Sequence, residues 1–303
     1  MKTARRLLLV VVALGVAAGL ALLAYARADP LGFADHKREL RLALGLPKLW
    51  ATQFNTDPTG YESAPCPAGA LVIVTGGQSN SANALADPLP VDPSAQAFMF
   101  HSGTCYRLRD PVLGASIAPA DGSGGGSLWT ALGTALYRKT GKPVVFINGG
   151  VGGTQLGDWL DDRSGYFRRL LANVAAARRQ GLVPAYVLWV QGETDATALL
   201  PPAEFTRQIE ALIAKTDGTG LVPKRAPWVV YRSTYCLDRR GNGPDIDAAV
   251  TALAAGSDRI ILGPAASDLD DSQRRDGCHF NALGRETLTA DVMAIMAPRL
   301  GAP

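Results

Sequence analysis

A serine, an aspartate and a histidine stand where acyl-transfer chemistry would want them. Ser79 follows an apolar run and two glycines in LVIVTGGQSN (71–80). Glycine lets a chain bend sharply where a Cβ would clash, so such a turn can present a hydroxyl above a sheet. By itself it could equally be an ordinary turn. It fits neither a dinucleotide or phosphate loop nor the G-x-S-x-G elbow. A serine nucleophile needs a base, and the chain has three histidines: His36, His101 and His279. His279 lies three residues after Asp276 in DGCHFNALGRE (276–286), close enough for the carboxylate to fix the imidazole tautomer and stabilise an imidazolium. His101, after QAFMF (96–100), could reach the same face, whereas His36 lies in an N-terminal segment far from any strand end. Donors for an oxyanion are available in INGGVGGTQLGDW (147–159), whose glycines bring backbone N–H groups close, and in the Gln191 amide of WVQGETD (189–195). The same glycines would also suit tight turns, and Glu193 or Asp195 would suit a helix cap.

Elements that could hold these residues together alternate along the chain. Apolar or β-branched runs occur at 70–75, 143–147, 184–190, 227–232 and 259–262, with 96–100 a further candidate. Helical patterns lie near 127–139, 164–180, 202–216, 244–255 and 281–297. This order predicts βαβ units: an α/β fold in three layers, with a mainly parallel central sheet. Ligands of such sheets bind beyond the carboxyl ends of the strands, and all four candidate segments fall there.

The 303 residues suit one domain of about 250 residues plus an N-terminal extra. The first 48 carry eight basic and three acidic residues, leaving the rest at −2 of the net +3, which argues against a nucleic-acid partner. Residues 7–26, uncharged, are long enough for a membrane helix, with a cleaved signal peptide as the rival reading. The expected organisation is an anchor or signal peptide over 1–28, a juxtamembrane segment and tether over 29–68, and a catalytic domain over 69–300. The body is expected outside the cytoplasm, anchored or secreted.

GQSN (77–80), VGGT (151–154), QGETD (191–195) and D-x-x-H (276–279), in that order, resemble the SGNH hydrolase superfamily. More narrowly they resemble its sialate O-acetylesterase-like branch, related to the family 6 carbohydrate esterases. The likeness spans about residues 70–297. It implies a flavodoxin-like fold, with Ser79 as nucleophile, His279 as base and Asp276 as its orienting acid. It also implies an oxyanion hole from the Ser79 N–H, Gly152 or Gly153, and Gln191. Family members often continue GQSN with Met and Gly-Arg-Gly where this chain has Ser81-Ala82-Asn83, so the substrate pocket is not implied by the likeness. The activity implied is removal of O-acetyl groups from carbohydrates, without a cofactor. A non-hydrolytic carbohydrate-binding module and an acyltransferase using the same triad are the alternatives.

Gln78, Asn80, Thr154, Trp159, Glu193, Asp195 and Arg232 are expected at or just behind the substrate site. Trp129 is a further candidate, although a lone Trp on such a helix is more often core. Glu193 and Asp195 raise a glycosidase reading, but two residues apart at a strand end they would diverge and leave the serine unexplained. Among the cysteines, Cys236 and Cys278 both fall at the active edge and are expected to pair. Cys66 and Cys105 then pair by default, out of three possible connectivities. No spacing suggests a metal site.

Overall fold

The computed structural model describes residues 15, 18–24, 53–117, 124–237 and 241–300. The chain forms two units, Met1–Ala51 and Thr52–Pro303. In the first, residues 18–24 are helical and exposed; most of the expected span 7–26, together with His36, lies outside the described residues. Among the described residues no helix is long and apolar enough to cross a membrane.

The second unit is built on one eight-stranded sheet. Its strands are β1 (Ser63–Ala64), β2 (Leu71–Gly77), β3 (Ala97–His101), β4 (Thr104–Arg107), β5 (Val144–Asn148), β6 (Pro184–Val190), β7 (Trp228–Val230) and β8 (Ile260–Leu262). They lie in the order β1-β4-β3-β5-β2-β6-β7-β8. The six from β3 to β8 across the sheet run parallel, and β1 and β4 add an antiparallel edge. The helices are α1 (Trp129–Thr140), α2 (Leu156–Leu160), α3 (Tyr166–Arg179), α4 (Glu193–Thr197), α5 (Pro202–Gly218), α6 (Gly243–Ala255) and α7 (Ala282–Leu300).

A parallel sheet must be covered on both faces, and the alternation of side chains along each strand shows how. Val72, Val74, Val145, Ile147, Val187 and Trp189 face α3, α5 and α6, through residues such as Leu170, Ile209 and Val250. Ile73, Val144, Phe146 and Leu188 face α1 and α7, through Trp129, Leu136, Leu288 and Met296. On the first face Trp189 packs between Trp159 and Trp228, with ring centroids 4.8 and 5.6 Å away. Such pairs add roughly 0.5–1.5 kcal/mol each beyond area burial.

Two short strands and two short helices fall outside the alternation visible in sequence. The turn-rich stretch expected to be a tether (52–69) is joined to the body from Gln53 onward. The Ile117 N–H donates to Gln53 O, and Asn55 is bonded through backbone and side chain to residues 111–115. β1 pairs with β4, and the Cys66–Cys105 disulfide closes the same edge. Its polar residues are paired with a distant loop, a fate composition does not distinguish from solvation.

Candidate active site

β5 and β6 flank β2 on opposite sides, so the chain leaves the sheet in opposite directions beside the end of β2. That crevice is where a ligand site forms in an open α/β sheet. Gly77 ends β2 at φ +117°, and a Cβ there would collide with the Val190 carbonyl of β6. The N–H of Gln78 donates to that same carbonyl at 2.9 Å, and the N–H of Val151 donates to Gly77 O at 2.9 Å. Ser79 then opens a single 3-10 turn, Ser79–Ser81, half-buried while Asn80 and Ser81 are buried. The Trp129 indole N–H of α1 donates to Ser81 O at 2.9 Å, pinning the turn from below.

The histidine comes from the loop between β8 and α7. His279 Nδ1 lies 2.7 Å from Asp276 Oδ2, and Asp276 Oδ1 accepts the backbone N–H groups of His279 (2.7 Å) and Cys278 (3.0 Å). Burial alone would raise the Asp276 carboxyl, but the His279 ring, its charge and the two N–H groups outweigh it. They hold the carboxyl well below the ordinary range. With Asp276 ionised, the imidazole carries its proton on Nδ1 and leaves Nε2 free to accept one.

Asn80 places this loop beside Ser79. Its Nδ2 donates to Cys278 O (3.3 Å), and its Oδ1 accepts the Phe280 N–H (3.4 Å). The residue after Ser79 therefore holds both neighbours of His279. The Cys236–Cys278 disulfide ties the loop to the segment after β7. Arg274, buried between the rings of Tyr235 and Phe280 at 4.5 and 4.7 Å, donates to the carbonyls of Ala266, Leu269 and Cys278.

The glycine-rich turn after β5 comes up against the serine. A Cβ on Gly152 would sit 3.6 Å from Ser79 Cβ, in ordinary contact. The Gly152 N–H donates to Ser116 Oγ at 2.9 Å. Gln191 is buried at the end of β6, and its Nε2 donates to Thr154 O (2.6 Å) and Asp195 Oδ2 (2.8 Å), with Gln78 Oε1 at 3.2 Å. Both amide protons are thus engaged within the protein, so in this arrangement Gln191 ties two loops together rather than offering a free donor. Gln78 Oε1 also accepts from the N–H groups of Gly192 (3.4 Å) and Thr194 (3.1 Å). Asp195 takes the Leu156 N–H at 2.9 Å, and burial drives its carboxyl up to about 6 despite these bonds.

Of the other expected site residues, Trp159 is fully buried, its N–H on Thr154 Oγ1 at 3.2 Å and its ring against Trp189. Trp129 is equally interior, so neither indole lines an open pocket. Arg232 is partly buried, with its N–H on Pro264 O. His101 is buried against Gly114, with Nδ1 unpartnered, and burial, then the Arg169 charge, lowers its pKa. It has no carboxylate to orient it, unlike His279. Ser116 and Arg274 are not expected from sequence. Ser116 lies in a loop with no motif, while Arg274 stands two residues before Asp276, and its place in the chain is the only signal it offers. Among the described residues no group of His, Cys, Asp and Glu is arranged to hold a metal ion.

A family model described as carbohydrate esterase, sialic acid-specific acetylesterase matches residues 70–293. A solved protein from Arabidopsis thaliana is 16% identical, with a TM-score of 0.59 over 76% of this chain and 97% of that one. NanS is also 16% identical, with a TM-score of 0.50 over 78% of this chain and 98% of that one. At such identities these two likenesses speak for the fold alone. No curated protein matches the chain in sequence.

Proposed function

This chain belongs to the carbohydrate esterase family of sialic acid-specific acetylesterases, and from that premise we propose that it removes O-acetyl groups from carbohydrate hydroxyls by way of an acetyl-serine. The observation that carries the reading is the Asp276–His279 pair, 2.7 Å apart, in a loop bonded on both sides of the histidine to Asn80, the neighbour of Ser79.

In this mechanism Ser79 Oγ attacks the acetyl carbonyl carbon as His279 Nε2 takes the hydroxyl proton. The ester C–O bond breaks, and the sugar oxygen leaves with that proton. Water then attacks the acetyl-serine and gives a proton to Nε2. The bond to Oγ breaks, the proton returns to Ser79, and acetate departs. Asp276 stays ionised throughout and stabilises the imidazolium. The backbone N–H groups of Ser79 and of Gly153, in the 152–153 turn, are proposed as oxyanion donors, because the Gly152 N–H is already given to Ser116 Oγ. Each such donor is typically worth about 10²–10³ in rate. Gln191 contributes by holding that turn through Thr154 O, and donates directly only if it releases one of its partners. The two disulfides support a place outside the cytoplasm, where such bonds persist.

The test is acetate release from a panel of O-acetylated sugars, sialic acids among them, with Ser79→Ala run alongside. Release by the wild type and none above background by the variant is the expected outcome. Turnover surviving in a folded Ser79→Ala protein would discard the mechanism, and silence of the wild type on every sugar would discard the substrate class.

A further inference from the structure

Among the buried acids that the proposed mechanism does not use, Glu193 lies nearest to the Ser79 turn, on Asn80. Glu193, the first residue of α4, is almost fully buried at the end of β6. Its Oε1 accepts two bonds, from Asn80 Nδ2 at 2.6 Å and from Ser233 Oγ at 2.8 Å. Its Oε2 is buried with no hydrogen-bond partner. Asn80 belongs to the turn after β2 and Ser233 to the segment after β7, which bridges back to Gly192. A single oxygen therefore joins three adjacent strand ends.

One of those joints leads to the histidine. The Asn80 side chain would be free to rotate in a site held only by its own weak bonds, since its contacts to Cys278 O and the Phe280 N–H are long, at 3.3 and 3.4 Å. The short bond to Glu193 fixes the amide plane, and that amide meets residues 278 and 280 on either side of His279. A mid-interior carboxyl is costly to bury, and Arg274 supplies nearby positive charge while gripping the same loop through Cys278 O.

We propose that Glu193 is a positioning residue, whose Oε1 sets the Asn80 amide so that His279 is held opposite Ser79. The proposal rests on the triad assigned above but not on the identity of the sugar. Because only Oε1 makes hydrogen bonds, a side chain of the same length with one acceptor oxygen should suffice. Glu193→Gln should therefore keep most of the function that Glu193→Ala loses.

The experiment uses the full chain and two readouts. The first is hydrolysis of a simple aryl acetate, which needs the triad and no sugar pocket. Glu193→Ala is expected to lower kcat by about 10²-fold, as a misplacement of about 1 Å does, with KM changed less than about twofold. Glu193→Gln should lie within about fivefold of wild type. The second readout is the low-field NMR resonance of the His279 Nδ1 proton, independent of turnover. It should stand in wild type and Glu193→Gln and broaden through exchange with water in Glu193→Ala. A folded Glu193→Ala protein with wild-type kcat or an unaltered resonance would overturn the proposal. So would a Gln variant as impaired as the Ala variant, since the acceptor would then not be what matters. A wild type that cleaves the aryl acetate but no acetylated sugar would sink only the substrate assignment, and the comparison of variants would still be read. If it cleaved neither, the resonance alone would decide.

Discussion

Ser79 and His279 reach the same edge of the sheet by opposite routes. Ser79 leaves a central strand flanked by parallel neighbours, and its turn is fixed by backbone bonds to β6 and to the segment after β5 and by an indole from α1. His279 follows the last strand on a long irregular loop near the surface, where no sheet neighbour reaches it. Its hold comes from backbone bonds within the loop, such as the Arg275 N–H on His279 O, and from side chains: Asp276, Asn80 with Glu193, Arg274 and a disulfide. Packing within the sheet positions Ser79, whereas His279 depends in addition on individually replaceable side-chain contacts. Damage to the first half should therefore appear chiefly as lost stability, and damage to the second as lost rate besides any lost stability.

The sharpest separation is expected at Asp276→Asn. The substituted amide keeps the shape and gives up the charge, so the imidazole can carry its proton on Nε2, where it cannot accept one from Ser79. A fall in kcat of up to about 10⁴ is expected, with a smaller loss of stability because the fold holds this carboxyl ionised, measured by steady-state kinetics and thermal denaturation together. An equally large fall in stability would erase the distinction between the two halves.

Gly77→Ala probes the other half. The residue sits at φ +117°, and its Cβ would meet the Val190 backbone carbonyl, which no side-chain rotation can relieve. A loss of about 3 kcal/mol or more in urea denaturation is expected. A stable Ala variant would mean the strand end is softer than the packing around it implies.

The disulfides permit a comparison within one chemistry. Replacing both Cys66 and Cys105 by Ser opens a bond at the sheet edge, while replacing Cys236 and Cys278 opens one beside the histidine. Each should cost roughly 2–4 kcal/mol of stability. Only the second should also lower kcat at a temperature where both proteins remain folded. Equal kinetics in the two would show that Arg274 and Asn80 hold the loop without the crosslink.

The two halves are also unequally legible in the sequence. β2, β5 and β6 announce themselves as apolar runs ended by glycine, because a strand buried on both faces has no other composition open to it. Ser79 and its turn are readable for the same reason. The pairing of Asp276 with His279 is readable because only two residues separate them. What holds that pair is much less visible. Arg274 looks like a solvated charge in RRDGCHF, and only the fold brings Tyr235 and Phe280 to its two faces. Gln191 shows the reverse: its position at a strand end suggests a free donor, and in the structure its amide is taken by Thr154 and Asp195. Sequence position fixes which edge a side chain reaches, whereas the partners that saturate it come from other loops. Trp159 has the chemistry of a sugar platform, yet its ring completes the tryptophan cluster under the sheet.

Asp195 offers the mildest perturbation on the Ser79 side, and one that pH applies without mutation. Its carboxyl is raised to about 6 from an ordinary 3.8, chiefly by burial, so the folded protein holds this proton more tightly than the unfolded chain does. The associated stability is present in full below about pH 3.8 and is lost as pH rises through 6. Asp195→Asn cannot titrate, so the wild type should lose about 2–3 kcal/mol relative to it between about pH 4 and pH 7. Urea denaturation at the two pH values gives that difference directly, and any constant cost of misaligning the Gln191 amide in the variant cancels. A gap that stays level would mean the carboxyl is ionised in the folded protein already at the lower pH, held by Leu156 and Gln191 more firmly than its burial opposes. The polar tie behind the 152–153 turn would then be as strong as the backbone that carries Ser79.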